Sequence, residues 1–465
     1  MKRALEGTWS RSDIVFCAVF AFIACYIVVF GFASGTLLES DMKVYFNNAQ
    51  NLLSAGFYWP IGYPLFLSPF LKVFGPDPSV VVWINFFLHL AGGFLLGKMV
   101  RSSFGIVPGL LAMAMYLLNR EQIFVMNLVL AENLMNPLII FVCYLALKYA
   151  RGDSRTWLMA MVCGFAMLVK ANFAWVATPV VAAAFVSRGF GRNNWKRFAR
   201  FLSVAVLVPG LYGVFNSLEH GRFVPMSSNG PVNLYIGNNP KADGVSSGAF
   251  VPLEALHGPK VEKQYVKKAF EFRRTQKKRV RFLTTRRLDF WWGRSSRASE
   301  LYSELVRSKN LSLTRFVSTK SFPTVALLGM VLMSVFFLGR LESPVHRPGR
   351  RKCRAVFLAG LATLAFVGLY FLYSVKGWYG LYLGLALVSV GPVLVALIWP
   401  PKQRELWVWL AMSPGFHLFT GLFTFLFFVK VRFRSTMNIY YSLTAAFVVY
   451  LVWLMLQSRL TKTKK

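Results

Sequence analysis

Apolar runs long enough to cross a membrane recur along this whole chain, and no other feature restricts its fold so strongly. Charge-flanked runs lie near 14–35, 79–98, 104–118, 133–149, 156–171, 172–187, 201–217, 321–339, 355–374, 378–399, 405–428 and 436–457, about twelve in all. About 20 apolar residues cross a ~30 Å hydrocarbon layer as a helix, and inside it every backbone group must be satisfied within the protein. Of the 465 residues, 56% are hydrophobic and only 15% are charged. A soluble domain carries about 25% charged residues, so these charges are too few to cover a water-exposed surface. The abundance of Leu, Val and Phe excludes disorder. The expected fold is an all-α polytopic membrane protein with about twelve transmembrane helices.

Lys and Arg number 53 against 18 Asp and Glu, a formal net charge of +35. On a soluble protein that excess would suggest nucleic acid. Here the basic residues cluster between the apolar runs, at Lys98/Arg101, Lys148/Arg151/Arg155, Arg188 to Arg200, Arg340 to Arg354 and Arg459 to Lys465. With the N-terminus inside, each of these short loops falls on the cytoplasmic side, as does the C-terminus, in accord with the positive-inside bias. No nucleic-acid partner is expected. The first apolar run exceeds the 7–15 residues usual for a cleaved signal and reads as an uncleaved helix. No Cys falls in an external segment, so no disulfide is expected.

Three parts follow. Residues 1–217 form an N-terminal transmembrane module with a first external loop at 36–78, 218–320 form an external domain, and 321–465 form a C-terminal transmembrane module. The first half of the external domain is rich in Gly, Pro, Asn and Ser, which suggests loop or short strands, while 261–307 reads as helical. Residues Lys260 to Arg287 carry twelve Lys and Arg against Glu262 and Glu271. That run is either a solvated face or a basic helix facing anionic lipid.

The first external loop concentrates the chemistry. A helix opening at Ser40 as N-cap and stopping at Gly56 places Asp41, Tyr45, Asn48 and Leu52 on one face. A carboxylate, a phenol and an amide then point together just outside the bilayer. Trp59-Pro60-Ile61-Gly62-Tyr63-Pro64-Leu65-Phe66-Leu67 follows as a rigid aromatic turn. Two readings of the helix stand at this level: an interfacial helix whose Asp41 only favours its own N-terminus, or part of a site. Glu132, in Ala131-Glu132-Asn133, and Lys170, in Val169-Lys170-Ala171-Asn172, fall at outer ends of apolar runs. Arg432 and Arg434, in Arg432-Phe433-Arg434, fall in a short outer turn. Cations there run against the inside bias and ask for an anionic partner.

Asp-x3-Tyr-x3-Ala followed by Gly-Tyr-Pro-Leu-Phe-Leu resembles the first external loop of GT-C-class membrane glycosyltransferases. The similarity is greatest to the protein mannosyltransferase and lipid A aminoarabinose transferase (family 39-like) superfamily. Asp41, Tyr45, Ala49 and Gly62 to Leu67 carry it. Ala131-Glu132-Asn133 is similar to the family's external acidic motif, although a Thr is usual before that Glu. Lys170 stands where relatives carry Arg before Pro, and Ala171 replaces the Pro. Residues 233–244, with Asn238 and Asn239, resemble the opening of the external domain, and Arg432-Phe433-Arg434 resembles the Arg-aromatic-Arg before the last span.

The resemblance implies interfacial helices in the first loop, a small external α/β-like domain, and an active site on the periplasmic face of a bacterial inner membrane. It implies an enzyme that moves a hexosyl or pentosyl group, with inversion, from a polyprenyl-phosphate donor to a lipid, glycan or protein acceptor. Asp41 and Glu132 would be catalytic, with Asp41 the general base. Tyr45, Tyr63, Lys170, Asn238, Asn239, Arg432 and Arg434 would bind substrate, the cations neutralising the departing phosphate. Asp41 and Glu132 are also the oxygen donors available to a divalent metal ion. A lipid-linked oligosaccharide flippase and a non-catalytic scaffold are the alternative readings. A flippase calls for charges in mid-span, whereas here charges lie at span ends.

Overall fold

The computed structural model describes residues 10–32, 38, 41–244, 259–292, 403–426 and 435–446. The runs near 321–339, 355–374 and 378–399, and the end of the last run, lie outside the described residues, as do Ser40, Arg432 and Arg434. Among the described residues every long element is a helix and no strand forms. The N-terminal half contains α1 (Arg11–Phe30), α2 (Asp41–Gln50), α3 (Gly62–Phe74), α4 (Pro78–Phe104), α5 (Ile106–Leu117), α6 (Arg120–Met126), α7 (Glu132–Arg151), α8 (Thr156–Val169), α9 (Phe173–Val186) and α10 (Arg192–His220). Then come α11 (Gly230–Gly237), α12 (Pro259–Thr275), α13 (Lys277–Trp292), α14 (Glu405–Phe425) and a helix over 435–446, α15.

Among the described residues four helices, α1, α4, α7 and α10, are long and apolar enough to cross a membrane. α1 and α10 bury only 17% and 22% of their apolar windows against the protein, whereas α4 and α7 bury 56% and 72%. The outer pair therefore present apolar side chains, such as Phe22, Val29, Leu207 and Leu211, to a non-aqueous surround. α7 sits centrally, packed on α4, α8, α9 and α14. The α8–α10 contact is close because a Cβ at Gly164 would lie 2.9 Å from the Ala205 carbonyl oxygen, the small-residue packing by which helices associate in lipid.

The helix directions give the bundle two ends. Arg101 pairs with Asp13 at 2.6 Å, and Arg151 pairs with Glu405 and reaches Ser102 and Ser103. These contacts gather the start of α1 and α14 and the finish of α4 and α7 at one end. At the other, Asn127 donates to the Gly31 carbonyl at 2.8 Å, and Gln122 and Asn136 hold Ser435. The expected basic loops within the described residues all fall at the first end.

Three elements depart from expectation. α2 stops at Gln50, and a 3₁₀ turn at Leu52–Ser54 precedes the turn at Gly56, whose φ is +60°. The break lies at Asn51, which leaves helical geometry at φ −136°, ψ 85°. α10 begins nine residues before its apolar run, because its charged first turns continue the helix beyond the greasy segment. It ends in a left-handed Gly221 at φ 64°, an αL cap. Within the stretch read as loop or short strands, Gly230–Gly237 forms α11, which Pro231 favours by standing in its first turn, while the described residues on either side of it are loop.

Candidate active site

α2 lays Tyr45, Phe46 and Ala49 against α3, leaving Asp41 half-buried at its N-terminal end. The Tyr45 ring meets Trp59 and Tyr63 edge-on, with centroids 6.0 and 5.8 Å away. Tyr63 is fully buried, and its hydroxyl donates to Asn85 Oδ1 at 2.8 Å. A Cβ on Gly62 would fall 2.4 Å from the Val169 nitrogen and 2.6 Å from the Leu168 carbonyl carbon. The glycine thus lets the first turn of α3 touch the backbone at the end of α8, one residue before Lys170.

The chain between α6 and α7 is not helical, so its carbonyls need donors in an apolar interior. Asn85 Nδ2 supplies them to Met126 and Leu128 at 3.1 and 2.9 Å, and Asn133 Nδ2 supplies Val125 and Leu128 at 2.9 and 2.8 Å. This scaffold sets Glu132 at the first position of α7, where the helix dipole favours a carboxylate. Its side chain is 1% exposed, and Lys170 Nζ donates to its Oε1 at 2.5 Å. α8 and α9 have 14 residues each, about 21 Å of helix against a ~30 Å layer. Their junction at Lys170 to Asn172 therefore ends short, within the bundle. Asn172, which precedes α9, holds a buried Oδ1 with no hydrogen-bond partner among the described residues.

Leu168, two residues before Lys170, lines an apolar cavity of about 310 Å³ together with Ile61, Leu65, Val208, Tyr212 and Phe215, among others. In the first external loop, burial raises the Tyr58 pKa to about 12, helped by the charge of Asp41 and by Tyr265 and Glu262. Asp41 thus shares its surroundings with Tyr58 and with α12 of the external segment. Glu262 is held by Arg222, which follows α10.

The structure joins Glu132 to Lys170, which sequence reading treats as separate groups, and links Tyr45 to Tyr63. Asn238 and Asn239 hydrogen-bond within the protein. Asn238 donates to the Leu234 and Leu426 carbonyls and accepts from Arg273, while Asn239 donates to Tyr235 and Ile236. Arg432 and Arg434 lie outside the described residues, but Ser435, the next residue, is tied to α6 and α7 through Gln122 and Asn136. Tyr58 and Asn172 are missed by the sequence reading. The Phe57-Tyr58-Trp59 aromatic run is the signal for the first, and only packing reveals the second. No group of three or more His, Cys, Asp and Glu side chains forms among the described residues. Glu132 is already committed to Lys170, so this donor set does not suit a divalent ion.

The basic run on α12 and α13 divides in two. Most of its cations are exposed, but Arg287 is fully buried, donating to the Gly237 and Thr424 carbonyls, and Arg273 reaches Phe425. Both guanidiniums thus cap helix C-termini, where a cation is favoured.

Residues 59–212, about a third of the chain, match the family model described as dolichyl-phosphate-mannose-protein mannosyltransferase. That stretch contains Tyr63, Glu132, Lys170 and the Gly62 contact. Among curated proteins none matches. A solved structure described as ArnT from Cupriavidus metallidurans bound to undecaprenyl phosphate is similar at 12% identity, with a TM-score of 0.40, over 89% of this chain and 77% of that one.

Proposed function

We propose that this chain is a membrane glycosyltransferase of the GT-C, family 39-like superfamily, a reading supported by the family match over residues 59–212, and that it moves a sugar from a polyprenyl-phosphate carrier to a lipid, glycan or protein acceptor at the end of the bundle bearing Asp41. By the positive-inside bias that end faces the periplasm. The observation that carries the reading is the buried Glu132–Lys170 pair, whose lysine follows by two residues Leu168 in the lining of a lipid-compatible apolar cavity.

The carrier's hydrocarbon chain would lie along Ile61, Leu65, Leu168 and Phe215, bringing its phosphate to Lys170. An acceptor hydroxyl or amine attacks the anomeric carbon from the Asp41 side, and Asp41 takes its proton. The bond between that carbon and the phosphate oxygen breaks, its electron pair leaves with polyprenyl phosphate, and the anomeric configuration inverts. General-base catalysis of this kind contributes typically 10²–10⁴-fold. Lys170, with Arg432 and Arg434, stabilises the charge left on the phosphate, a preorganised effect worth several kcal/mol. Glu132 holds the Lys170 ammonium in place before the phosphate arrives, and the unpartnered Asn172 oxygen is available to a sugar hydroxyl.

Asp41→Asn should abolish transfer while leaving membrane insertion and thermal stability near wild type. Mass spectrometry of lipids and glycoconjugates from cells with and without the gene names the sugar and acceptor. Wild-type product levels in the Asp41→Asn cells would overturn the assignment of the base.

A further inference from the structure

At the opposite end of the bundle, the turn between α9 and α10 and the start of α14 enclose an open hollow of about 440 Å³ lined by Arg188, Gly191, Arg192, Asn194, Arg197 and Arg404, among others. No acidic side chain lines it among the described residues. The turn is firmly built: Asn194 donates to the Phe185 and Gly189 carbonyls at 2.8 and 2.6 Å and accepts from Tyr149. The Arg188 guanidinium lies 4.3 Å from the Tyr149 ring centroid, and its buried Nε has no partner among the described residues. α10 opens with no acidic residue in its first turn and no side-chain cap on Gly191. Cations stacked on the positive end of a 29-residue helix oppose its dipole. The arrangement is self-consistent once an anion neutralises it. Burial and crowding by Arg197 and Arg404 also lower the Arg188 pKa, as expected of cations facing one another across the hollow.

The source of the anion follows from the neighbours. Phe190 and Trp195, 70% and 54% exposed with ring centroids 6.5 Å apart, flank the arginines. Further along α10, Leu202, Val206 and Leu207 turn apolar side chains outward. Exposed aromatics beside an apolar helix face mark the headgroup level of a bilayer, where a lipid phosphate lies within reach and a second lipid surface is unnecessary. We propose that this hollow is a binding site for the phosphate of an anionic phospholipid in the leaflet opposite the transfer site. Basic pockets between helices on this side of a membrane suit such headgroups.

The test follows thermal unfolding of the purified full chain in neutral detergent as phosphatidylglycerol, phosphatidylcholine or inorganic phosphate is added. Phosphatidylglycerol should raise the midpoint saturably, while the other two should leave it unchanged at matched concentration. Arg192→Gln and Arg404→Gln, both at exposed side chains, should each raise the half-saturating lipid concentration about fivefold, equivalent to about 1 kcal/mol per cation, and Arg192→Lys should restore it. An equal rise with inorganic phosphate would assign the hollow to a soluble anion and overturn the lipid site. Unchanged half-saturation in both Gln variants would overturn the hollow itself.

Discussion

Replacing Gly62 by alanine adds one methyl where the chain has no room for it. Its Cβ would stand 2.4 Å from the Val169 nitrogen and 2.8 Å from the Val169 Cα. Both are backbone atoms and cannot rotate aside, so reaching an ordinary contact near 3.4 Å requires α3 and the end of α8 to part by about 1 Å. Overpacking of this kind costs about 1–3 kcal/mol. Lys170 is the next residue, and its ammonium holds Glu132 at 2.5 Å, so the same shift loosens the cation proposed to meet the phosphate. A displacement of about 1 Å at a reacting centre can lower a rate about 10²-fold. Gly62→Ala should therefore lower both the unfolding midpoint and kcat, and the loss in kcat should persist at temperatures where the variant is fully folded. The assay is transfer from a polyprenyl-phosphate sugar in nanodiscs, with a parallel thermal melt. Wild-type kcat together with an unchanged midpoint would refute the argument that this contact positions Lys170.

Breaking the buried pair by Glu132→Gln or Lys170→Met alone should cost about 3–5 kcal/mol, and the double variant should recover much of that; a double-mutant cycle on chemical unfolding measures it. Asn172→Ala removes an oxygen that serves no hydrogen bond among the described residues, so stability should stay within about 0.5 kcal/mol, while kcat/KM for the sugar donor should fall about tenfold, the worth of one hydrogen bond. Tyr58 titrates near 12 when folded against an ordinary 10.0, because burial disfavours the phenolate. Its contribution to stability is complete below pH 10 and lost as the pH rises toward 12; Tyr58→Phe should flatten the alkaline fall in stability measured over that range.

Much of the bundle is legible in the sequence because the bilayer imposes one simple requirement on each span. The runs at 79–98, 133–149 and 156–171 predict α4, α7 and α8 to within a few residues, except that α4 continues through charged residues to Phe104. Helix ends escape, since hydropathy reports where lipid begins and not where hydrogen bonding stops; Asn51 and the first turns of α10 are the examples. α6 escapes because seven residues capped by Asn119 are too short for a periodic signal. At the site, Asp41, Tyr45, Glu132 and Lys170 stand out through residue type and position. The Glu132–Lys170 contact does not, because 38 residues separate the partners and only the packing of α7 on α8 brings them together. The same holds for Arg287, a residue type that composition places in water and that two helix termini draw inside.

That buried arginine has a consequence for how molecules enter. By gripping the last carbonyls of α14 and α11 together, while Arg273 grips both Asn238 and Phe425, it bolts the outer helices to a membrane-embedded strut. A canopy fastened this way does not hinge upward without stripping two guanidiniums of their acceptors. A donor of the proposed class would then come to the aspartate from the side, along the hydrocarbon boundary.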